Sequence, residues 1–299
     1  MDTANTFSSR RSANAFTLLE VLVASTVMVI LVGIVAYIAG SVMNSWNRSS
    51  GRLSANAEAR LALDLIAQDL ETAVLRKNGQ QWLRVEDANP MNIGGPYSSD
   101  SVNLKLFASA LDRQAGDGIC AIAYALAYKE SYPGGPATYA LYRRVIDPQD
   151  TLNDYLSSRF DDPNSSAQGS LASPGRLTAD WDIDLTNVLA GSIISDQNYL
   201  TSNIVEFKIL IYDASEETPK NGDIVDYTIT SDYRYGGSDS NAGANTPIYA
   251  DIILTTVTDQ GITLLDNIAQ GLVPDDANDV VTQHGKTLIR RVYFKSNPI

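Results

Sequence analysis

Between Glu20 and Arg48 the chain carries no charged residue. Val21–Met43, 23 residues within that gap, is almost wholly apolar and is broken only by Ser25, Thr26, Gly33, Gly40 and Ser41. As a helix it would run about 35 Å, enough to cross a hydrocarbon core of about 30 Å. Arg10 and Arg11 precede it, which favours a cytoplasmic N-terminus. A secretory signal peptide would have an apolar stretch of about 7–15 residues followed by a small-residue cleavage site. Ala39-Gly40-Ser41 could serve as that site, but the stretch before it is too long. A plain membrane anchor fits the length and leaves one residue unexplained, the carboxylate of Glu20 at the edge of the apolar run. Ionisable groups there are costly and usually functional.

Asn14-Ala15-Phe16-Thr17-Leu18-Leu19-Glu20-Val21-Leu22 resembles the cleavage motif of type IV prepilins and type II secretion pseudopilins. The resemblance implies that a prepilin peptidase cuts between Ala15 and Phe16 and methylates the new amine, and that Glu20 is the family glutamate. Ala15 departs from the family pattern, which usually has glycine before the cut. In a filament, Glu20 would pair with the positive N-terminal amine of a neighbouring subunit. At low dielectric that pairing offsets two desolvation costs and sets axial register. The alternative for Glu20 is a carboxylate snorkelling to the interface.

The helix is expected to continue past the membrane. Leu53, Ala57, Leu61 and Leu65 recur at i+4, joined by Ile66, Leu70 and Val74, while Arg52, Glu58, Arg60, Asp64, Asp69 and Glu71 take the other faces. Asn78-Gly79 reads as the stop, and no proline occurs from Phe16 to Lys77. The segments expected are a leader 1–15, a transmembrane and assembly helix 16–43, an amphipathic extension 44–78 and a head 79–299.

The head is read as strands at Trp82–Glu86, Val102–Ala108, Ile119–Lys129, Thr138–Ile146, Ile204–Tyr212, Ile224–Tyr235, Ile248–Val257 and Leu288–Lys295. Turn-rich stretches separate them, and residues 147–203, polar and rich in Ser, Asp and Asn, form a surface insertion with a short helix at Leu152–Arg159. The fold class is α+β: one long helix packed on a mostly antiparallel sheet. Tyr139-Ala140-Leu141-Tyr142-Arg143-Arg144-Val145, Ile248–Thr255 and Leu288–Phe294 resemble the J-type minor pseudopilins and related pilin-like cassette proteins, including a Verrucomicrobia-type cassette protein C. The length approaches that of K-type proteins, which lack the glutamate that Glu20 represents.

Charge is uneven. Residues 78–299 hold 29 acids and 15 bases, a net of −14, against −13 for the whole chain. So acidic a head repels nucleic acid and anionic lipid headgroups and favours neither as a partner. A single cysteine, Cys120, excludes an intrachain disulfide and reads as a buried inert thiol. A single histidine, His284, excludes a two-histidine metal site. Phosphate-binding glycine loops and calcium loops of regular spacing are absent from the sequence. Asp275, Asp276 and Asp279, with Asn278, are weak calcium candidates whose plainer reading is a solvated loop; Asp180, Asp182 and Asp184 around Trp181 read the same way. Arg143-Arg144 and Arg290-Arg291 should send one arginine to each strand face for ion pairing. Tyr124, Tyr128, Tyr139 and Tyr142 should be half-buried structural residues. No cofactor and no enzymatic activity are expected.

These features and the resemblance together imply a structural subunit, a minor pseudopilin or pilin-like protein at or near the tip of a type II secretion or pilus-like filament. It would sit in the bacterial inner membrane with its head in the periplasm. Its partners would be other pilin-like subunits, meeting through the N-terminal helix, and a prepilin peptidase. A filament-displayed adhesin or uptake module using 147–203 is the alternative, and a membrane-anchored extracellular enzyme a more distant one.

Overall fold

The computed structural model describes residues 17–76, 81–88, 93–97, 100–109, 118–130, 135–151, 195–213, 218–223, 227–236 and 246–295. Two compact units divide the chain, Met1–Ser50 and Gly51–Ile299. One helix, α1 (Leu18–Glu71), supplies the described part of the first unit and enters the second.

In the first unit α1 exposes every large apolar residue it carries, from Leu18 and Leu19 through Tyr37 to Trp46. In the second unit its buried face is Ala55, Ala59, Ala62, Leu63, Ile66, Ala67 and Leu70. Ile66 and Leu70 of the stripe expected from the sequence lie on this face and Leu65 is half-buried, but the earlier part of the stripe does not face the core. Leu53 and Leu61 are 71% and 70% exposed, and Ala57 is exposed with them. Small side chains let the helix approach the core closely, so the alanine row faces inward and the leucine row does not. The helix also ends at Glu71 rather than at Asn78-Gly79. The Thr72 hydroxyl donates to the carbonyls of Gln68 (3.0 Å) and Ser109 (3.3 Å). Val74 N–H then donates to Phe107 O at 2.7 Å, and Ala73 bridges to Ala108. Sheet hydrogen bonds thus replace the next helical turn.

The strands are β1 (Gln81–Ala88), β2 (Ser101–Ala108), β3 (Cys120–Glu130), β4 (Ala137–Ile146), β5 (Tyr199–Ser202), β6 (Ile204–Asp213), β7 (Tyr233–Gly236), β8 (Pro247–Val257) and β9 (Gly285–Tyr293). They form two antiparallel sheets instead of one: six strands in the order β5-β4-β3-β2-β1-β7, and three in the order β6-β8-β9. Asn203 is the corner between them. It adopts φ 64°, a left-handed conformation that asparagine tolerates better than most residues. Its N–H donates to Tyr139 O (2.8 Å) on β4, and its carbonyl accepts from Val257 N–H (2.8 Å) on β8. The two sheets meet in one core, where Phe207 of β6 lies 6.2 Å from the Tyr124 ring. β3 is buried on both faces, with Ala121, Ala123, Ala125 and Ala127 alternating with Cys120, Ile122, Tyr124 and Leu126.

Two helices went unread in the sequence: α2 (Asp259–Ala269) and α3 (Ala277–His284). Thr258 caps α2 by accepting from Gly261 N–H, and Asp276 caps α3 by accepting from Asn278 N–H. Both are ordinary N-cap residues; they were missed because the surrounding alternation reads as strand and loop. Tyr199–Ser202, inside the expected insertion, is an edge strand of the larger sheet. The short helix expected at Leu152–Arg159, the acids around Trp181 and most of that insertion lie outside the described residues.

Candidate functional site

The two polar features that set this chain apart both sit on α1. The first is its start. Thr17 is not yet helical, and its hydroxyl accepts from Glu20 N–H at 3.3 Å. Thr17-Leu18-Leu19-Glu20 therefore has the spacing of a capping box, with a carboxylate three residues after the cap. Glu20 is the acid of the first turn, where the positive end of the helix dipole favours a negative charge. Beyond it the apolar segment satisfies its own hydroxyls. Ser25 donates to Leu22 O and Thr26 to Val23 O, each at 2.8 Å, so neither asks anything of a surrounding solvent. By length and composition this helix can cross a membrane, and none of its most apolar stretch is buried among the described residues. A helix apolar on all sides is made for the interior of something, a bilayer or an assembly. Ala15 and Phe16 lie outside the described residues.

The second feature lies in the other unit. Asp69, placed on the solvated face by the sequence reading, is 1% exposed. Arg143 of β4 grips it with two hydrogen bonds, Nε to Oδ2 (2.9 Å) and Nη2 to Oδ1 (3.0 Å). The Tyr124 hydroxyl of β3 donates to Oδ2 at 2.5 Å. Burial, chiefly, and the Asp69 charge push the Tyr124 hydroxyl well above the ordinary tyrosine range, with Arg143 opposing them. Tyr124 is thus a neutral donor, fully buried rather than half-buried as expected, and so is Tyr139. A signal for Asp69 was present: it falls seven residues after Ala62 and three after Ile66, on the buried row. The arrangement is a fully partnered ion pair that ties helix to sheet, and it offers no group to a substrate.

The other candidates are placed as follows. Arg291 of β9 pairs with Asp251 through two 2.7 Å bonds and covers the Tyr249 ring at 4.3 Å. Arg290 pairs with Asp64 of α1, so the arginine pair divides between two carboxylates as its period implies. Cys120 is buried. Asp276 is occupied in capping α3, and Asp279 lies in that helix's first turn. The solvated-loop reading holds for Asp275 and Asp276, which are exposed in the segment before the helix, while Asp279 is exposed but helical. No group of three or more His, Cys, Asp or Glu poised for a metal occurs among the described residues.

Comparison with known proteins bears on the first feature. Residues 10–36 match the family model described as the prokaryotic N-terminal methylation motif. The chain carries this prepilin-type motif, which spans Arg10, Arg11, Ala15, Phe16, Glu20 and the first turns of the apolar helix. Among solved structures, a type IV-like pilin from Thermus thermophilus aligns over 80% of this chain and 96% of its own, at 9% identity and a TM-score of 0.38. So loose an overlap decides nothing, and the topology above stands on its own. No curated protein matches the chain.

Proposed function

We propose that this chain is a pilin-like structural subunit: cut between Ala15 and Phe16 by a prepilin peptidase, methylated at Phe16, anchored by α1 in the bacterial inner membrane and assembled with other pilin-like subunits. One observation carries the reading. The methylation motif at 10–36 runs directly into an apolar helix whose most apolar stretch is not buried by any of the described residues. Such a surface needs a bilayer first and neighbouring helices later, and the motif supplies the processing that links the two states. Glu20 fits both. In the membrane it sits at the capped, positive end of α1; in an assembly it can meet a neighbour's methylated amine, where low dielectric makes the attraction large. The head, with its two-sheet core and its buried ion pair fully partnered, is a scaffold rather than a reaction centre. The finer reading, a J-type minor pseudopilin near a filament tip with its head in the periplasm, rests on strand resemblance and on Glu20.

Mass spectrometry of protein extracted from membranes tests this. The mature N-terminus should be Phe16 carrying one methyl group. A mature chain that starts near Val42, or one that keeps Met1, would overturn the reading.

A further inference from the structure

A cleft of about 340 Å³ opens within the second unit, between α1 and the junction of β8, α3 and β9. Its polar lining is Arg52, Asn56, Thr256, Thr258, His284 and Lys286. Two atoms there are orphans. Thr256 is 3% exposed, and among the described residues its Oγ1 has no hydrogen-bond partner and the buried Oδ1 of Asn56 has none either. Buried polar atoms are nearly always satisfied, so each exception needs an explanation, and a water or ligand from outside the chain is one. The two cations, Arg52 and Lys286, have no ion-pair partner among the described residues. In a chain with 35 acids and 22 bases, a cleft edged by two free cations has a local field opposite in sign to that of the whole. The acid nearest to Gly51 is Asp259, whose Oδ1 already accepts from Asn203 Nδ2 at 2.7 Å.

We infer that this cleft binds a phosphate group carried on a small hydroxylated ligand, the chemistry of a phosphoglycerol. Phosphate oxygens accept from Arg52, Lys286 and the Thr256 hydroxyl. A ligand hydroxyl donates to Asn56 Oδ1, which only accepts and so calls for more than a bare anion. The volume agrees, since small-molecule pockets begin at about 300 Å³. Two sources share this chemistry, a soluble glycerol phosphate and the headgroup of an anionic lipid. Arg52 and Asn56 come only five and nine residues after Asn47, the last residue of the uncharged stretch, which brings the lipid source into consideration. The inference goes beyond the subunit reading and does not depend on it.

The test is calorimetric titration of the full chain in maltoside micelles, with glycerol phosphate and, separately, with micelles doped with phosphatidylglycerol or phosphatidylcholine. Saturable binding of one equivalent is expected from glycerol phosphate, phosphatidylglycerol or both, and whichever binds identifies the source. The Arg52→Gln/Lys286→Gln pair should weaken it at least about ten-fold, and Thr256→Val about three- to ten-fold with no loss of melting temperature. Arg60→Gln, on an exposed residue of α1 outside the cleft, should change nothing. Three results would overturn the inference. The first is no saturable heat from either probe, which leaves water as the partner of both orphans. The second is equal weakening by Arg60→Gln. The third is unchanged binding by Thr256→Val.

Discussion

The two halves of α1 are one helix by backbone and two different solutes by side chain. From Val21 to Met43 it is apolar on every face and exposed on every face; after Gly51 it is amphipathic, with an alanine-lined row in a core and every charge but Asp69 outside it. Both halves are helical and neither contains proline, although the first is rich in Val and Ile and the second in the stronger helix formers Ala and Leu. What differs is the medium each is matched to. The first half is not buried by any of the described residues, which suits it to a bilayer or an assembly. The second half belongs to the head and brings that head a buried carboxylate, Asp69. The contrast predicts that damage to the two halves will show in different measurements: assembly for the first, stability for the second.

The largest effect should come from cutting the chain at either side of the second half. A protein that begins at Gly51 keeps the whole second unit and should fold. One that begins at Gly79 loses Ala59, Leu63, Ile66 and Leu70 from the core and leaves Arg143 buried without Asp69. Each buried large apolar side chain is worth about 1.5–3 kcal/mol against a total stability of about 5–15. The shorter protein should be insoluble or molten. Equal melting of the two by circular dichroism would show that the helix does not complete the head.

Asp69→Ala should cost about 3–5 kcal/mol in urea unfolding, because it strands a guanidinium that is 6% exposed at its side chain. Asp69→Leu combined with Arg143→Met and Tyr124→Phe should recover most of that loss, since an apolar trio of similar volume carries no desolvation penalty and leaves no buried hydroxyl without its acceptor. If the triple change is as damaging as the single one, Asp69 has a role beyond pairing with Arg143 and Tyr124. Neither variant should alter cleavage of the leader.

Glu20→Ala should show the reverse pattern. Membrane insertion and cleavage should persist, and in-cell crosslinking to pilin-like partners should fall, because breaking one side of a low-dielectric ion pair costs about 3–5 kcal/mol. The capping geometry adds a control. Thr17→Ala removes the hydroxyl that accepts from Glu20 N–H, a local cap worth about 0.5–2 kcal/mol, and leaves the charge in place. Glu20→Gln keeps a polar side chain at that position and removes the charge. Crosslinking lost with Glu20→Gln and kept with Thr17→Ala assigns the role to charge. Equal losses from both would assign it to helix capping alone.

How well the sequence announces each part follows from how local its physics is. The apolar span, Glu20 and seven of the eight expected strands at nearly their full lengths are legible because each is a run of neighbours with one period. The eighth, Ile224–Tyr235, shrinks to the four residues of β7, Tyr233–Gly236, with 224–226 outside the described residues. The division into two sheets is not legible, because it turns on one left-handed asparagine at position 203. The burial of Asp69 could be read from its place on the helical period, but its partners could not, since they stand 55 and 74 residues away. The helix face was misread for a related reason. Leucines at i+4 look like a core stripe, yet the alanine row packs closer to the sheet, and hydrophobicity alone ranks the two the wrong way round. The cleft beside Arg52 and Lys286 brings together positions more than 200 apart and left no trace in the pattern.

The smallest expected effect tests that helix face directly. Leu53→Ser and Leu61→Ser remove apolar groups that are about 70% exposed, and such surface changes usually stay within about 0.5 kcal/mol. Ala62→Leu, at 2% exposure, adds three carbons to a packed interface and should cost about 1–3 kcal/mol. On size alone one would expect the opposite order, because each serine change removes a leucine while Ala62→Leu adds one. Urea midpoints of the three variants decide between the two rows. A large loss with Leu61→Ser and none with Ala62→Leu would mean that α1 is rotated from the orientation seen here, and that the leucine row is the packed one after all. With the expected order confirmed, Leu53 and Leu61 are left as an apolar row that no described residue buries, as the first half of α1 is. The same two serine variants should then weaken crosslinking to pilin-like partners while leaving the melting temperature of the isolated chain untouched.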